Sequence, residues 1–172
     1  MAPTTYTPPI NTYVQLESIV LTNAASSVTF FNIAQSDANG TYKDLVLVIN
    51  AKNTVGTVYG AFLRFNGSST SSPWVSMTAD GTTTGSGTTS ISYVLAGWLD
   101  NGQADTLQTS IMDYTATDKH KTVISKGGGF NRFGAVASRW PDTSAITSIE
   151  IVCEPTASWV AGATFSLYAL HG

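Results

Sequence analysis

Apolar and polar residues alternate with a period close to two through most of the chain, the spacing of strands that bury one face. The pattern predicts strands at Tyr13 to Leu21 (YVQLESIVL), Ser27 to Ile33 (SVTFFNI) and Thr57 to Asn66 (TVYGAFLRFN). Asp44 to Asn50 (DLVLVIN) is instead a continuous β-branched and leucine run, which suits the middle of a sheet. Further strands are expected at Ile91 to Trp98, Leu107 to Asp113, Lys121 to Ser125, Phe130 to Ala137, Ile146 to Cys153 and Ala163 to Leu170. Asn66-Gly67 and Asn101-Gly102 read as turns, because both residue types tolerate positive φ.

Two stretches break the pattern. Ser68 to Ser72 runs into Pro73, and Asp80 to Ser90 reads DGTTTGSGTTS without one apolar residue. The second is expected to be an exposed loop or loop tip, with Asp80, Gly81, Gly85 and Gly87 as its candidate exposed residues. Nine or ten short strands and no helical periodicity predict an all-β fold, an antiparallel β-sandwich of jelly-roll-like form. The sandwich is expected over residues 13–172 as a single domain. Residues 1–12, with Pro3, Pro8 and Pro9, are expected to form an extended N-terminal arm, since proline fixes φ and removes ladder donors.

Composition narrows the function classes. Of 172 residues, 42% are hydrophobic, only 11% are charged and about a quarter are Ser or Thr. A net charge of −3 with that apolar content argues against a disordered chain. Eight scattered Lys and Arg cannot form the basic stripe that phosphate neutralisation requires, so no nucleic-acid partner is expected. No apolar run approaches the length of a membrane helix and the first residues lack a basic, signal-like start, so a soluble protein made in a cytoplasm is expected. A single cysteine, Cys153, excludes an internal disulfide; stability must come from packing or subunit association.

The search for chemistry yields no catalytic residue, metal ligand or cofactor. His120 and His171 lack companions at ligand spacing, and Cys153 follows the core-facing alternation of Ile149 and Ile151. Gly85-Ser86-Gly87 is not a nucleophile elbow, and Gly127-Gly128-Gly129 lacks the Lys-Ser/Thr of a phosphate loop, which leaves a turn or bulge. A polysaccharide hydrolase would need two facing carboxylates, and nothing distinguishes Asp100, Asp105, Asp113, Asp118 or Asp142 for that role. Trp74, Trp98, Trp140 and Trp159 could stack sugars or fill a core or interface. Trp140 and Trp159, each read as lying in a loop, are the interface candidates.

SVTFFNI at Ser27 to Ile33, YKDLVLVIN at Tyr42 to Asn50 and LRFNG at Leu63 to Gly67 resemble a domain of tailed-bacteriophage structural proteins. SRWPDTSAITSIEI at Ser138 to Ile151 and AGATFSLYAL at Ala161 to Leu170 are similar to its closing strands. The resemblance implies a non-enzymatic virion component on the capsid surface, synthesised in the host cytoplasm. One domain with a short arm suits a capsid decoration (cement) protein whose partner is the major capsid protein. It implies a homo-oligomer, with a trimer favoured, and an arm bearing Tyr6, Pro8 and Pro9 across a neighbouring subunit. The alternative is a tail-fibre or receptor-binding module meeting host glycans through Trp74 and the Asp80 to Ser90 loop.

Overall fold

The computed structural model describes residues 12–55, 59–79, 84–99, 104–129, 132–154 and 156–172, and among these there are thirteen strands and no helix. In chain order they are β1 (Tyr13–Val20), β2 (Ser27–Phe30), β3 (Ser36–Asp37), β4 (Gly40–Ala51), β5 (Tyr59–Phe65), β6 (Ser72–Ala79) and β7 (Thr84–Ile91). There follow β8 (Val94–Leu99), β9 (Asp105–Ile111), β10 (Lys121–Gly128), β11 (Phe133–Trp140), β12 (Ile149–Cys153) and β13 (Thr164–His171). All pairings are antiparallel. The large sheet runs β1-β13-β4-β9-β10-β11-β6-β7, with β3 attached to β4; the small one runs β2-β12-β5-β8.

The chain wraps between the sheets as a jelly roll does. Four strands, β1-β13-β4-β9, lie over the four of the small sheet, and this eight-stranded barrel-like sandwich is complete in itself. The remaining long strands are two inserted hairpins, β6–β7 between β5 and β8 and β10–β11 between β9 and β12. Both add to the same side of the large sheet. They widen it by four strands beyond β9, while only β8 of the small sheet reaches under them.

The core follows from the alternation. Leu45, Leu47 and Ile49 of β4, Phe165, Leu167 and Ala169 of β13, and Leu107 and Ile111 of β9 point inward. They meet Phe30, Leu63, Phe65, Ile149 and Ile151 of the small sheet. Cys153 is buried among them, where desolvation, reinforced by the neighbouring Glu154 charge, outweighs a backbone hydrogen bond and pushes its thiol pKa up to about 11. Toward the inserted hairpins the inward residues become small and polar. Ser125 Oγ donates to Thr109 Oγ1 at 2.9 Å, and Ser138 Oγ donates to the Leu95 carbonyl of β8 at 2.9 Å, so these buried hydroxyls are satisfied.

One end of the sandwich is tied by three polar anchors. Lys121, fully buried, donates from Nζ to the carbonyls of Ala116 (2.7 Å), Lys119 (3.0 Å) and Thr143 (3.0 Å). Its three donors are thereby used, while desolvation holds its pKa below the ordinary lysine value despite nearby Asp142, Asp118 and Asp113. The buried Tyr114 hydroxyl donates a short hydrogen bond to the Ala34 carbonyl. Asn66 and Gly67 both have positive φ, 52° and 69°, and Ser68 N donates back to Phe65 O at 2.8 Å, as the Asn-Gly pair predicts.

Three expectations need correction. Asp80 to Ser90 is not wholly a loop: Thr84–Ile91, including Gly85 and Gly87, is paired along its length with β6. Such a strand needs no apolar residue because its ladder, not its side chains, holds it in place. Ser72–Ala79 is likewise a strand; Pro73, its second residue, lies beyond the end of the pairing with β11 at Trp74 and opposite Ser90 of the edge strand β7. Gly127 and Gly128 lie within β10 rather than in a turn, and a Cβ at Gly127 would come within 2.7 Å of the Thr106 carbonyl.

Candidate functional site: the face of the inserted hairpins

Strand register decides what the added part of the large sheet shows to solvent. On its outer face Ile124 of β10 stands beside Ala137 of β11 and Val75 of β6, Ala135 stands beside Met77, and Phe133 beside Ala79. Met77 is 69% exposed, Phe133 58%, Val75 53% and Ile124 44%, so four large apolar side chains share one uncovered surface. Four strands about 4.8 Å apart and about 26 Å long present a face of roughly 500 Å² in all, apolar across the middle of β10, β11 and β6 and polar on β7. Lys126 and Arg139, both exposed, border it on β10 and β11.

Two open grooves cross this region. One, of about 420 Å³, is lined by Met77, Ala79, Phe133 and residues of β7. The other, of about 350 Å³, is lined by Pro73, Trp74, Val75, Thr88, Ala137 and Arg139. Trp74 is half-buried, with its ring edge-on to Trp98 at 5.8 Å and packed so close to Gly87 that a Cβ added there would lie 3.0 Å from it, so it is not a free stacking platform. This surface carries hydrophobic contact and a cationic border, which is the chemistry of protein–protein association.

The residues singled out from sequence fall elsewhere. Trp140 and Trp159 are buried: Trp140 packs edge-on to Phe65 at 5.3 Å and Trp159 to Phe165 at 5.8 Å. The interface expectation for them is therefore corrected; the jelly roll needs large side chains to fill the ends between its sheets. Gly85 is exposed and Gly87 half-buried, both in β7. Tyr6, Pro8, Pro9, Asp80 and Gly81 lie outside the described residues, as does Asp100.

Asp142, Asp113 and Asp37 have local structural partners. Asp142 accepts the Ser144 N–H at 2.7 Å, which with a second hydrogen bond from the Ser144 side chain holds its pKa below the usual value. Asp113 lies 3.8 Å from Lys119. His171 lies 3.4 Å from Asp37 and against the Tyr42 ring at 4.9 Å. Partial desolvation raises the Asp37 pKa, but the Asn39 N–H, the Tyr42 hydroxyl and His171 together outweigh it, and the net shift is downward. Among the described residues no three His, Cys, Asp or Glu gather as metal ligands.

Sequence reasoning missed the apolar face because it left β6 and β7 as irregular chain. The signal was present in SPWVSMTA: Val75 and Met77 alternate with Ser76 and Thr78, the period of a strand. No protein-family model matches the chain, and no curated protein or solved structure matches it either.

Proposed function

We propose that this chain is a structural subunit that acts by packing against other proteins, and that its setting is a phage virion, as a decoration protein on the assembled capsid shell. The observation that carries the association is the set of exposed apolar residues Val75, Met77, Ile124 and Phe133, all on hairpins that the jelly roll does not need for closure. The virion setting rests on the resemblance of Ser27 to Ile33, Tyr42 to Asn50 and Ser138 to Ile151 to phage structural domains. A ligand that binds only the assembled shell stabilises it by mass action, without any reaction.

The test is to purify virions of the phage that encodes the chain and count its copies by quantitative mass spectrometry. Hundreds of copies per particle, lost on Met77→Lys with Val75→Lys, support the reading. Absence from the virion overturns it, and a handful of copies together with host-cell adsorption replaces it with the tail-fibre alternative.

A further inference from the structure

We infer that a second copy of this chain pairs along β7, so that two large sheets join edge to edge across a two-fold axis. The sandwich has four sheet edges, and three of them carry features that discourage pairing. β1 breaks register between Gln15 and Glu17 and bears that exposed carboxylate. β2 is four residues long, and β8 is bulged opposite Ala61 and Phe62, with Gly97 at φ +149°. β7 has none of these. It runs eight residues in unbroken register with β6, contains neither proline nor charge, and is exposed along nearly its whole length.

The occupant follows from charge and symmetry. In an isologous antiparallel contact residue i faces residue j and j faces i, so a charge near the middle of the strand would lie close to its own copy across the two-fold axis. β6 and β7 together, SPWVSMTA and TGSGTTSI, hold no charged residue. A charged peptide would find no counter-charge on these strands, whereas an identical uncharged strand meets no repulsion. β7 also has an open side: its Gly, Ser and Thr side chains bury little, and among the described residues its only extensive contact is β6. Thr84, Ser86, Thr88 and Ser90 share the outer face with Val75 and Met77, so pairing would set the two outer faces on one continuous sheet, with the polar β7 strands between their apolar rows. The inference concerns copies of the chain in solution and does not depend on a virion setting.

The experiment uses the full chain and two variants, Thr88→Lys and Thr88→Glu, in sedimentation equilibrium from micromolar to near-millimolar concentration. Expected are a dimer for the unaltered chain, at least about tenfold weaker association for each variant alone, and recovery when the two variants are mixed at equal concentration. Recovery on mixing also shows that both variants are folded. A monomer at every concentration overturns the inference. So does an oligomer, trimer included, whose mass the Thr88 variants leave unchanged, because association then uses another surface.

Discussion

Asn66 allows a backbone effect and a side-chain effect to be separated at one position. Its Nδ2 donates to the Ala145 carbonyl at 2.8 Å, and its Oδ1 accepts the Thr147 N–H at 2.8 Å, the Thr147 hydroxyl at 3.2 Å and the Ser148 N–H at 3.2 Å. One amide thereby fixes the segment that leads into β12, while its own backbone sits at φ 52°. Asn66→Ala loses these bonds and places a Cβ-bearing residue without a local hydrogen bond in the left-handed region, at a cost of about 1 kcal/mol for the backbone alone. The site is exposed and water can replace part of what is lost, so the bonds contribute about 1–2 kcal/mol together. Asn66→Ala should therefore destabilise by about 2–3 kcal/mol, and Asn66→Gly, which removes the bonds but relieves the backbone, by about 1–2 kcal/mol. Urea unfolding followed by tryptophan fluorescence measures both. Equal losses in the two variants would show that the positive φ costs nothing, and losses under about 0.5 kcal/mol would refute the clamp.

Lys121→Met should cost about 2–4 kcal/mol, because the Ala116, Lys119 and Thr143 carbonyls lose a common donor. With its native pKa below 10.5, the unfolded chain binds more protons between the two values, so unfolding free energy should rise with pH over that interval. An identical alkaline slope in Lys121→Met would sink that assignment. Asp142 contributes stability that is full above pH 3.8 and lost as pH falls through its lower native pKa; acid titration of Asp142→Ala should lack that step. Trp159→Ala should cost about 3–5 kcal/mol by thermal or urea unfolding, a loss that a surface tryptophan would not produce. Val75→Thr with Met77→Thr should change stability by no more than about 0.5 kcal/mol each yet, if the proposed decoration role holds, lower the copies found per virion, which separates contact from folding.

What was legible in the sequence is the part held by hydrophobic burial. Each strand expected from alternation overlaps an observed one, from β1 through β13, because Leu45, Ile49, Phe165 and their partners must face one core. β7 was not legible, since a Gly/Ser/Thr strand maintained by backbone pairing leaves no apolar period to detect. Trp140 and Trp159 were misplaced for a different reason. Composition gives a tryptophan a buried face or a sticky one, and only the sheet packing around Phe65 and Phe165 decides between them.

The polarity of β6 argues that the inserted hairpins answer to something besides folding. A strand packed on one face ordinarily turns its apolar residues inward, and each large one so buried contributes about 1.5–3 kcal/mol. In β6 Ser72 and Ser76 are buried, while Val75 and Met77 on the other face stand in solvent. Trp74, aimed at Trp98, is the one large inward side chain of that strand, so β6 is anchored at a single point. Phe133 of β11 repeats the arrangement beside it, exposed while Val136 and Trp140 are buried. Among the described residues nothing recovers the stability forgone by leaving these side chains in water. A covering surface would recover it, whether supplied by a shell or by a second copy aligned through β7, and such a cover gives the outward apolar row of the large sheet a physical reason.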